Sequence, residues 1–414
     1  MASILIDKFN QIISKSKDYK MKAEAEFSVQ YPTGFLSFDF MNGCVIHTKT
    51  KSTTMQYYNV GISDGSMVLC IGRSGCGKTT WVVQAATNIA DIHEESCVFH
   101  EDIEGGINEA RIQTLTGWDH EKIAKKYKIR NTGITAENFY ERVKMIYDIK
   151  MENRESFLYD TGAVDYNGDP VYKMSPTIII LDSLALLMPG QYTEEETLSG
   201  QMSTTAAAKT NASVFKRIVP MLKSGNIILF IINHITENVS ITPMPVQAQV
   251  SYLTQKERVP GGNTPIYLAN TFLKFSDHGK FKEGEGFQVP GNLVDITLVK
   301  SRTNRAGRKC TLVFNQNVGF DKELSMLILL KESKKLNGAG AYLYVGDHTE
   351  YKFAQKNFKE MMRDPEFAKI VMSELREVLV GMLANDYDLD RPEEEKCVDV
   401  TSMLIDDLTK PKMA

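Results

Sequence analysis

The rhythm of apolar and polar positions changes along the chain. Near the N-terminus, Leu5, Phe9, Ile12 and Ile13 recur at helical spacing and predict an amphipathic helix over 3–16, running into the basic stretch Lys15–Lys22. A lone helix of that size is marginal in water, so it needs a surface to pack on, in its own domain or in a neighbouring copy. Through the centre, continuous apolar runs alternate with helical patterns. Ser66–Ile71, Ser96–His100, Thr177–Leu181 and Asn226–Ile232 read as strands, and Trp81–Ile89 and Glu137–Lys150 as helices. Apolar runs without alternation fit strands covered on both faces. The strand–helix succession predicts a mainly parallel, right-handed α/β sheet.

Residues 157–174 read as a hairpin turning at Asn167-Gly168 or Gly168-Asp169. Leu293–Lys300 and Cys310–Phe314 read as strands around a polar turn at Thr303–Gly307. From Glu323 the pattern becomes helix, strand (Ala341–Val345) and two further helices, ending in a stretch rich in acids between Asp386 and Asp407.

Composition narrows the classes. With 43% apolar and 24% charged residues over 414 positions, chain-wide disorder is excluded. The formal charge of −4 means that any nucleic-acid site is local. No apolar run reaches bilayer-spanning length, and the alternating N-terminus does not read as a secretory signal. The six cysteines form no C-x-x-C pair, so free thiols in a reducing cytosol are expected, and a structural zinc site is not.

The most specific signal is Gly72-Arg73-Ser74-Gly75-Cys76-Gly77-Lys78-Thr79, followed by Thr80, which matches G-x-x-x-x-G-K-[ST] between a buried strand and a helix. Glycines let the backbone wrap a phosphate, and successive N–H groups at a helix start supply donors and positive dipole. Lys78 is expected to reach the β- and γ-phosphates of a nucleotide, and the Thr79 hydroxyl to bind Mg²⁺. The run Ile178-Ile179-Ile180-Leu181-Asp182 ends in an acid at the carboxyl end of a buried parallel strand, the ligand edge of such a sheet; Asp182 is expected to hold Mg²⁺ through water. Glu101, Asp102 and Glu104 leave the strand after the phosphate-loop helix and compete for the role of polarising an attacking water.

These motifs resemble the RecA family of recombinases, and within it the phage UvsX-like branch. Pro32-Thr33-Gly34-Phe35 through Asp39 is similar to the segment that precedes the family's phosphate loop, and Asp102-Ile103-Glu104 to its D-x-E, which implies water activation by Glu104, with Glu101 as the alternative. Ile231-Ile232-Asn233-His234 resembles the family's strand ending in Asn-Gln, with His in place of Gln as in UvsX, and implies a γ-phosphate sensor at His234; read by itself, His234 is more simply a strand-end histidine satisfied by backbone. Gly261-Gly262-Asn263 resembles the G-G-N that closes the following DNA-binding loop. Val299-Lys300-Ser301-Arg302 resembles the V-K-x-K pair that reaches the ATP of the adjacent subunit; a solvated basic turn is the plainer alternative, given Arg305, Arg308 and Lys309. Counting from Glu104, the resemblance puts the adenine-contact positions near Asn108 and Arg111; neither residue matches the family's there, and Arg111 alone is carried forward as a base contact.

The resemblance implies a RecA-like P-loop ATPase core over 31–322 with an N-terminal oligomerisation helix in 1–30. It further implies a small α+β C-terminal domain over 323–384 and an acidic tail over 385–414. It implies ATP and Mg²⁺ as cofactors, single-stranded DNA and homologous duplex DNA as partners, self-association into a helical filament, help from a recombination mediator and a single-strand-binding protein, and a cytoplasmic location, bacterial or that of a phage host. Two loops are expected to carry DNA. Pro189–Thr204 holds Gly200, Gln201 and Met202. Thr236–Gly262 holds Gln247, Gln249, Tyr252, Lys256, Arg258, Gly261 and Gly262, residues suited to phosphate contact and base stacking. Composition alone favours disorder for the second loop; its place after His234 favours ordering on DNA. The tail is expected either to screen the DNA groove or merely to aid solubility. A hexameric RecA-type helicase and a non-catalytic mediator are the rival functions.

Overall fold

In the computed structural model, residues 28–51, 54–165, 167–193, 200–237, 253–254, 257–281, 291–339 and 342–384 are described. A nine-stranded sheet forms the centre. Its strands are β1 (Met67–Gly72), β2 (Val98–Asp102), β3 (Tyr127–Arg130), β4 (Thr177–Asp182), β5 (Ile227–His234), β6 (Thr271–Phe281), β7 (Gly291–Ser301), β8 (Lys309–Asn315) and β9 (Gly319–Asp321). The order is β9-β8-β7-β6-β1-β5-β4-β2-β3. From β6 to β3 all neighbours run parallel, and β7, β8 and β9 extend the sheet antiparallel. This mixed α/β architecture with a mostly parallel sheet fits a RecA-like core.

The continuous apolar runs are explained by burial on both faces. Ile178, Ile180, Ile228, Phe230 and Ile232 face the helix α2 (Lys78–Ile92), whose Trp81, Val82, Ala85 and Ile89 are buried there. Ile179, Leu181, Leu229 and Ile231 point the other way, onto Phe139, Val143 and Ile146 of α5 (Ala136–Glu152) and Val214, Phe215 and Ile218 of α6 (Gly200–Gly225). Between them in sequence, α3 (Glu109–Thr116) and α4 (His120–Lys126) lead into β3. Near the start of the described chain, Phe35, at the N-cap of α1 (Leu36–Met41), stacks on Trp81, and Phe38 within α1 meets the same ring edge-on.

A third apolar cluster joins Phe40 of α1 to α7 (Lys322–Glu332) and α8 (Pro365–Met382). In α8 the buried Phe367, Val371, Leu375 and Leu379 recur every four residues, with Asp364 capping the first turn and Pro365 opening the helix. The turn after β7 is tied to this unit: the Asn304 side-chain amide donates to the carbonyls of Met41, Gly43 and Met382 at 2.8, 2.8 and 3.0 Å.

The structure revises several boundaries. β2 starts two residues later than Ser96 and runs on through Glu101 and Asp102. The strand expected over Ala341–Val345 is described from Tyr342. The first proposed DNA loop is shorter than 189–204, because Gly200, Gln201 and Met202 already lie in α6. The expected N-terminal helix and the acidic tail lie outside the described residues.

The hairpin at 157–174 is present as Leu158–Val164 and Pro170–Met174, with Gly168 at φ 92° in the turn, a conformation that favours glycine. It is docked rather than free. The Tyr159 hydroxyl lies 2.8 Å from that of Tyr31, its ring lies 4.0 Å from the His93 ring, and Lys173 pairs with Asp64 at 3.0 Å. Burial, with Lys126 adding, pulls His93 down to about 4. A histidine held neutral in the fold stabilises above its unfolded value and loses that contribution as pH falls towards the folded one. The urea midpoint is therefore expected to drop between about pH 6.5 and 4.5, and the drop to be shallower in His93→Phe; equal slopes remove His93 as the cause.

Candidate functional site

The loop between β1 and α2 is built for an anion. Gly75 and Gly77 adopt φ of 80° and 82°, and a Cβ at Gly77 would lie 2.9 Å from the Phe320 ring. No side chain caps α2, whose N-cap is Gly77, so the donors of its first turn remain open to a ligand. The buried Lys78 ammonium donates to the Gly72 and Arg73 carbonyls at 3.0 and 2.9 Å. Cys76 is buried, its thiol lies 2.9 Å from the Arg73 carbonyl, and burial pushes its pKa up; a thiol held in that form is a poor nucleophile.

The Thr79 hydroxyl donates to Asp182 Oδ2 at 2.7 Å, across neighbouring elements. Asp182 Oδ1 is buried and has no hydrogen-bond partner among the described residues. Burial pushes the Asp182 carboxyl up to about 6; Glu104 and Asp102 add to the rise, and Thr79 and Lys78 oppose it. A buried carboxylate oxygen without a donor, beside a hydroxyl at the mouth of a phosphate loop, fits Mg²⁺, a hard cation that takes oxygen ligands.

The three competing acids have three different surroundings. Glu101 is buried and ion-paired to Arg142 at 3.0 Å and Arg130 at 3.9 Å; burial raises its pKa against those two cations. Asp102 accepts the backbone N–H groups of Gly105 and Ile107 at 3.0 and 2.9 Å and so shapes the turn after β2. Glu104 alone turns to the edge beside Asp182, with Oε1 2.8 Å from His234 Nε2. Burial alone would raise Glu104, but Ser183, His234 and Lys78 outweigh it and hold the carboxyl below its usual range.

His234 ends β5, which lies between β1 and β4 in the sheet. The next link leads into the second loop. Asn233, fully buried, donates to the Pro260 carbonyl at 2.7 Å, immediately before Gly261 and Gly262 at φ 89° each. The loop's two ends pair as Thr236–Arg258 and Glu237–Glu257, and Glu257 is anchored to Lys274 of β6 at 2.8 Å. Arg258 is exposed there. Gln247, Gln249, Tyr252 and Lys256 lie outside the described residues.

Lys300 and Arg302 are not brought to this chain's own phosphate loop. Ser301 pairs with Thr271, and Thr271 with Val68, at the start of β1; Gly72 is at the other end of that strand, roughly 13 Å away at about 3.3 Å per residue. Lys300 Nζ donates to the Ile266 and Tyr267 carbonyls at 3.2 and 2.7 Å. Arg111 lies on the loop's side: its guanidinium donates to the Asn317 carbonyl at 2.7 Å, two residues before β9. Residues to which the sequence reading gave no role are Asn233, quoted there only as part of the strand-end motif, Lys274 and Glu257. An Asn beside a strand-end His and a Lys inside an apolar strand were the available signals.

The chain is 25% identical over 221 residues to Protein RecA of Xanthomonas euvesicatoria pv. vesicatoria (strain 85-10), covering 53% of this chain and 60% of that protein. It resembles bacterial RecA. Protein RecA of Xanthomonas campestris pv. campestris (strain B100) is likewise 25% identical over 221 residues, and Protein RecA of Xanthomonas axonopodis pv. citri (strain 306) is 24% identical. The chain thus spans about three fifths of the length of these curated relatives, 60–61%. No family model matches it. These relatives support the RecA family at a distance. No described helix is long and apolar enough to cross a membrane.

Proposed function

We propose that this chain is an ATP-dependent recombination and DNA-repair protein of the UvsX-like branch, a DNA-dependent ATPase that polymerises on single-stranded DNA and promotes pairing and strand exchange with homologous duplex. The observation that carries the reading is the Glu104–His234 contact at 2.8 Å beside the Thr79–Asp182 contact at 2.7 Å. A carboxylate and an imidazole meet where the γ-phosphate of a nucleotide on the loop would lie.

Gly72 to Thr80 would hold the phosphates through backbone donors, Lys78 would reach the terminal ones, and Arg111 would border the base. Thr79 and Asp182 would hold Mg²⁺, which neutralises charge on the phosphate oxygens. Glu104, ionised at neutral pH, orients water and accepts its proton. His234 registers whether the γ-phosphate is present, and the Asn233–Pro260 bond passes the change to Gly261, Gly262 and the DNA-binding loop. Gly200, Gln201 and Met202 contribute from the start of α6. Because Lys300 and Arg302 sit at the far edge of the sheet, they serve the nucleotide of the next copy. A head-to-tail arrangement of that kind generates an open filament when the rotation does not close.

The accessory parts follow the same reading: an oligomerisation segment over 1–30, the ATPase core over 31–322, a small C-terminal domain over 323–384, an acidic tail over 385–414, and action in the bacterial or phage-host cytoplasm with a mediator and a single-strand-binding protein. The test is ATP hydrolysis by the full chain with and without single-stranded DNA, with the product imaged. Stimulated hydrolysis and helical filaments are expected. Closed six-membered rings would replace this reading with a helicase, and absence of hydrolysis with a non-catalytic mediator.

A further inference from the structure

Beneath the loop lies a group of side chains of which the proposed nucleotide site uses only Asp182. His100 and Asp102 are two residues apart on β2 and share a face. Asp182 pairs in register with Asp102, and Ile180 with His100, across the neighbouring strand. One donor atom from each of His100, Asp102 and Asp182 lies within 4.8 Å of the others, and all three residues are at most 2% exposed.

Two of these groups have unused valence. Asp182 Oδ1 and His100 Nε2 are both buried and lack a hydrogen-bond partner among the described residues. The other histidine nitrogen is occupied: Nδ1 lies 2.8 Å from the Tyr127 hydroxyl, itself buried at the start of β3. If Nδ1–H donates to Tyr127, Nε2 keeps an unused, buried lone pair in a cluster with two carboxylates, and a bound cation would fill it. In the opposite tautomer Nε2–H is a buried donor with nothing to receive it, a costly state. A ligating histidine commonly donates its second N–H to an oxygen, as Tyr127 permits here. Asp102 is held rigid by the Gly105 and Ile107 N–H groups and retains lone pairs for a ligand.

We propose that His100, Asp102 and Asp182 form a binding site for a divalent first-row transition cation, with Mn²⁺ as the probe, sharing Asp182 with the position beside Thr79. One imidazole and two carboxylates suit such ions, whereas Mg²⁺ prefers oxygen alone. Bonds of about 2.1 Å place neighbouring donors about 3.0–3.4 Å apart and at most one pair, if trans, about 4.2 Å apart, so donors that now lie within 4.8 Å of one another draw in on binding. The inference stands on the buried cluster itself and does not require the proposed ATPase.

The test uses the full, nucleotide-free chain titrated with MnCl₂. Electron paramagnetic resonance counts bound Mn²⁺, and pulsed measurements detect coupling to a histidine ¹⁴N. One bound Mn²⁺ with ¹⁴N coupling is expected in the unmodified protein, which needs no variant to decide the matter. Thr79→Ala is expected to keep the coupling; His100→Phe is expected to lose it and to weaken Mn²⁺ binding at least about tenfold. Absence of bound Mn²⁺ at millimolar concentration, Mn²⁺ without ¹⁴N coupling, or unchanged affinity and coupling in a folded His100→Phe protein would each overturn the proposal.

Discussion

Two inactive variants, Glu104→Gln and Arg302→Ala, are expected to recover DNA-stimulated ATP hydrolysis when mixed. The sheet register puts Arg302 beyond the level of Val68, while Glu104 turns to the edge where β1 ends in Gly72. One chain therefore cannot supply both groups to one nucleotide. In a pure Glu104→Gln assembly every site lacks the base; in a pure Arg302→Ala assembly every site lacks the neighbouring cation, and each loss is expected to lower turnover roughly 10²–10³-fold. In an equimolar mixture, a site made from the Arg302→Ala chain's Glu104 and the Glu104→Gln chain's Arg302 is complete. Random head-to-tail assembly makes about a quarter of the sites complete, so activity returns to about a quarter of the unmodified rate. Recovery below the sum of the two separate residual activities would end the shared-site reading and leave Arg302 in the solvated basic turn considered for it.

The geometry behind that experiment was only partly legible in the sequence. The phosphate loop and Asp182 could be read directly, because both sit at the ends of continuous apolar runs, and β1 and β4 are found within a residue of the expected bounds. β2 was truncated at His100 because Glu101 and Asp102 read as loop acids. Their burial is supported by non-local partners, Arg130 and Arg142 for one and two backbone N–H groups for the other. That pairing is what separates the three acids, and no local pattern contains it.

β6, the immediate neighbour of the phosphate-loop strand, escaped the reading altogether. Its first half is buried at Thr271, Phe272, Leu273 and Phe275, but Lys274 interrupts the run, and Ser276 to Lys280 are polar. Lys274 is accommodated by an ion pair with Glu257, which arrives from the far end of the segment after β5. The first turns of α6 misled in the opposite way. Gly200 to Thr205 look like loop chemistry, and the helix becomes legible only further on at Val214, Phe215, Ile218 and Leu222, where it packs on α5. In each case the local signal was overruled by a contact distant in sequence.

Lys78→Ala is expected to lower the maximal rate of ATP hydrolysis at least about 100-fold, about 2.7 kcal/mol of transition-state stabilisation. In the structure the ammonium is held between the Gly72 and Arg73 carbonyls at the mouth of the loop, buried to 5% exposure. Those acceptors position it without neutralising it. A triphosphate on the loop competes for the same three N–H donors, and charge growing on the transferred phosphoryl group strengthens the exchange in the transition state. The backbone donors of Gly75 to Thr79 and the open start of α2 are untouched by the substitution, so nucleotide binding is expected to fall far less than turnover. A fluorescent-nucleotide titration beside a steady-state hydrolysis assay separates the two. Hydrolysis within threefold of the unmodified protein would remove Lys78 from the chemistry, and with it the assignment of this loop as the site of phosphoryl transfer.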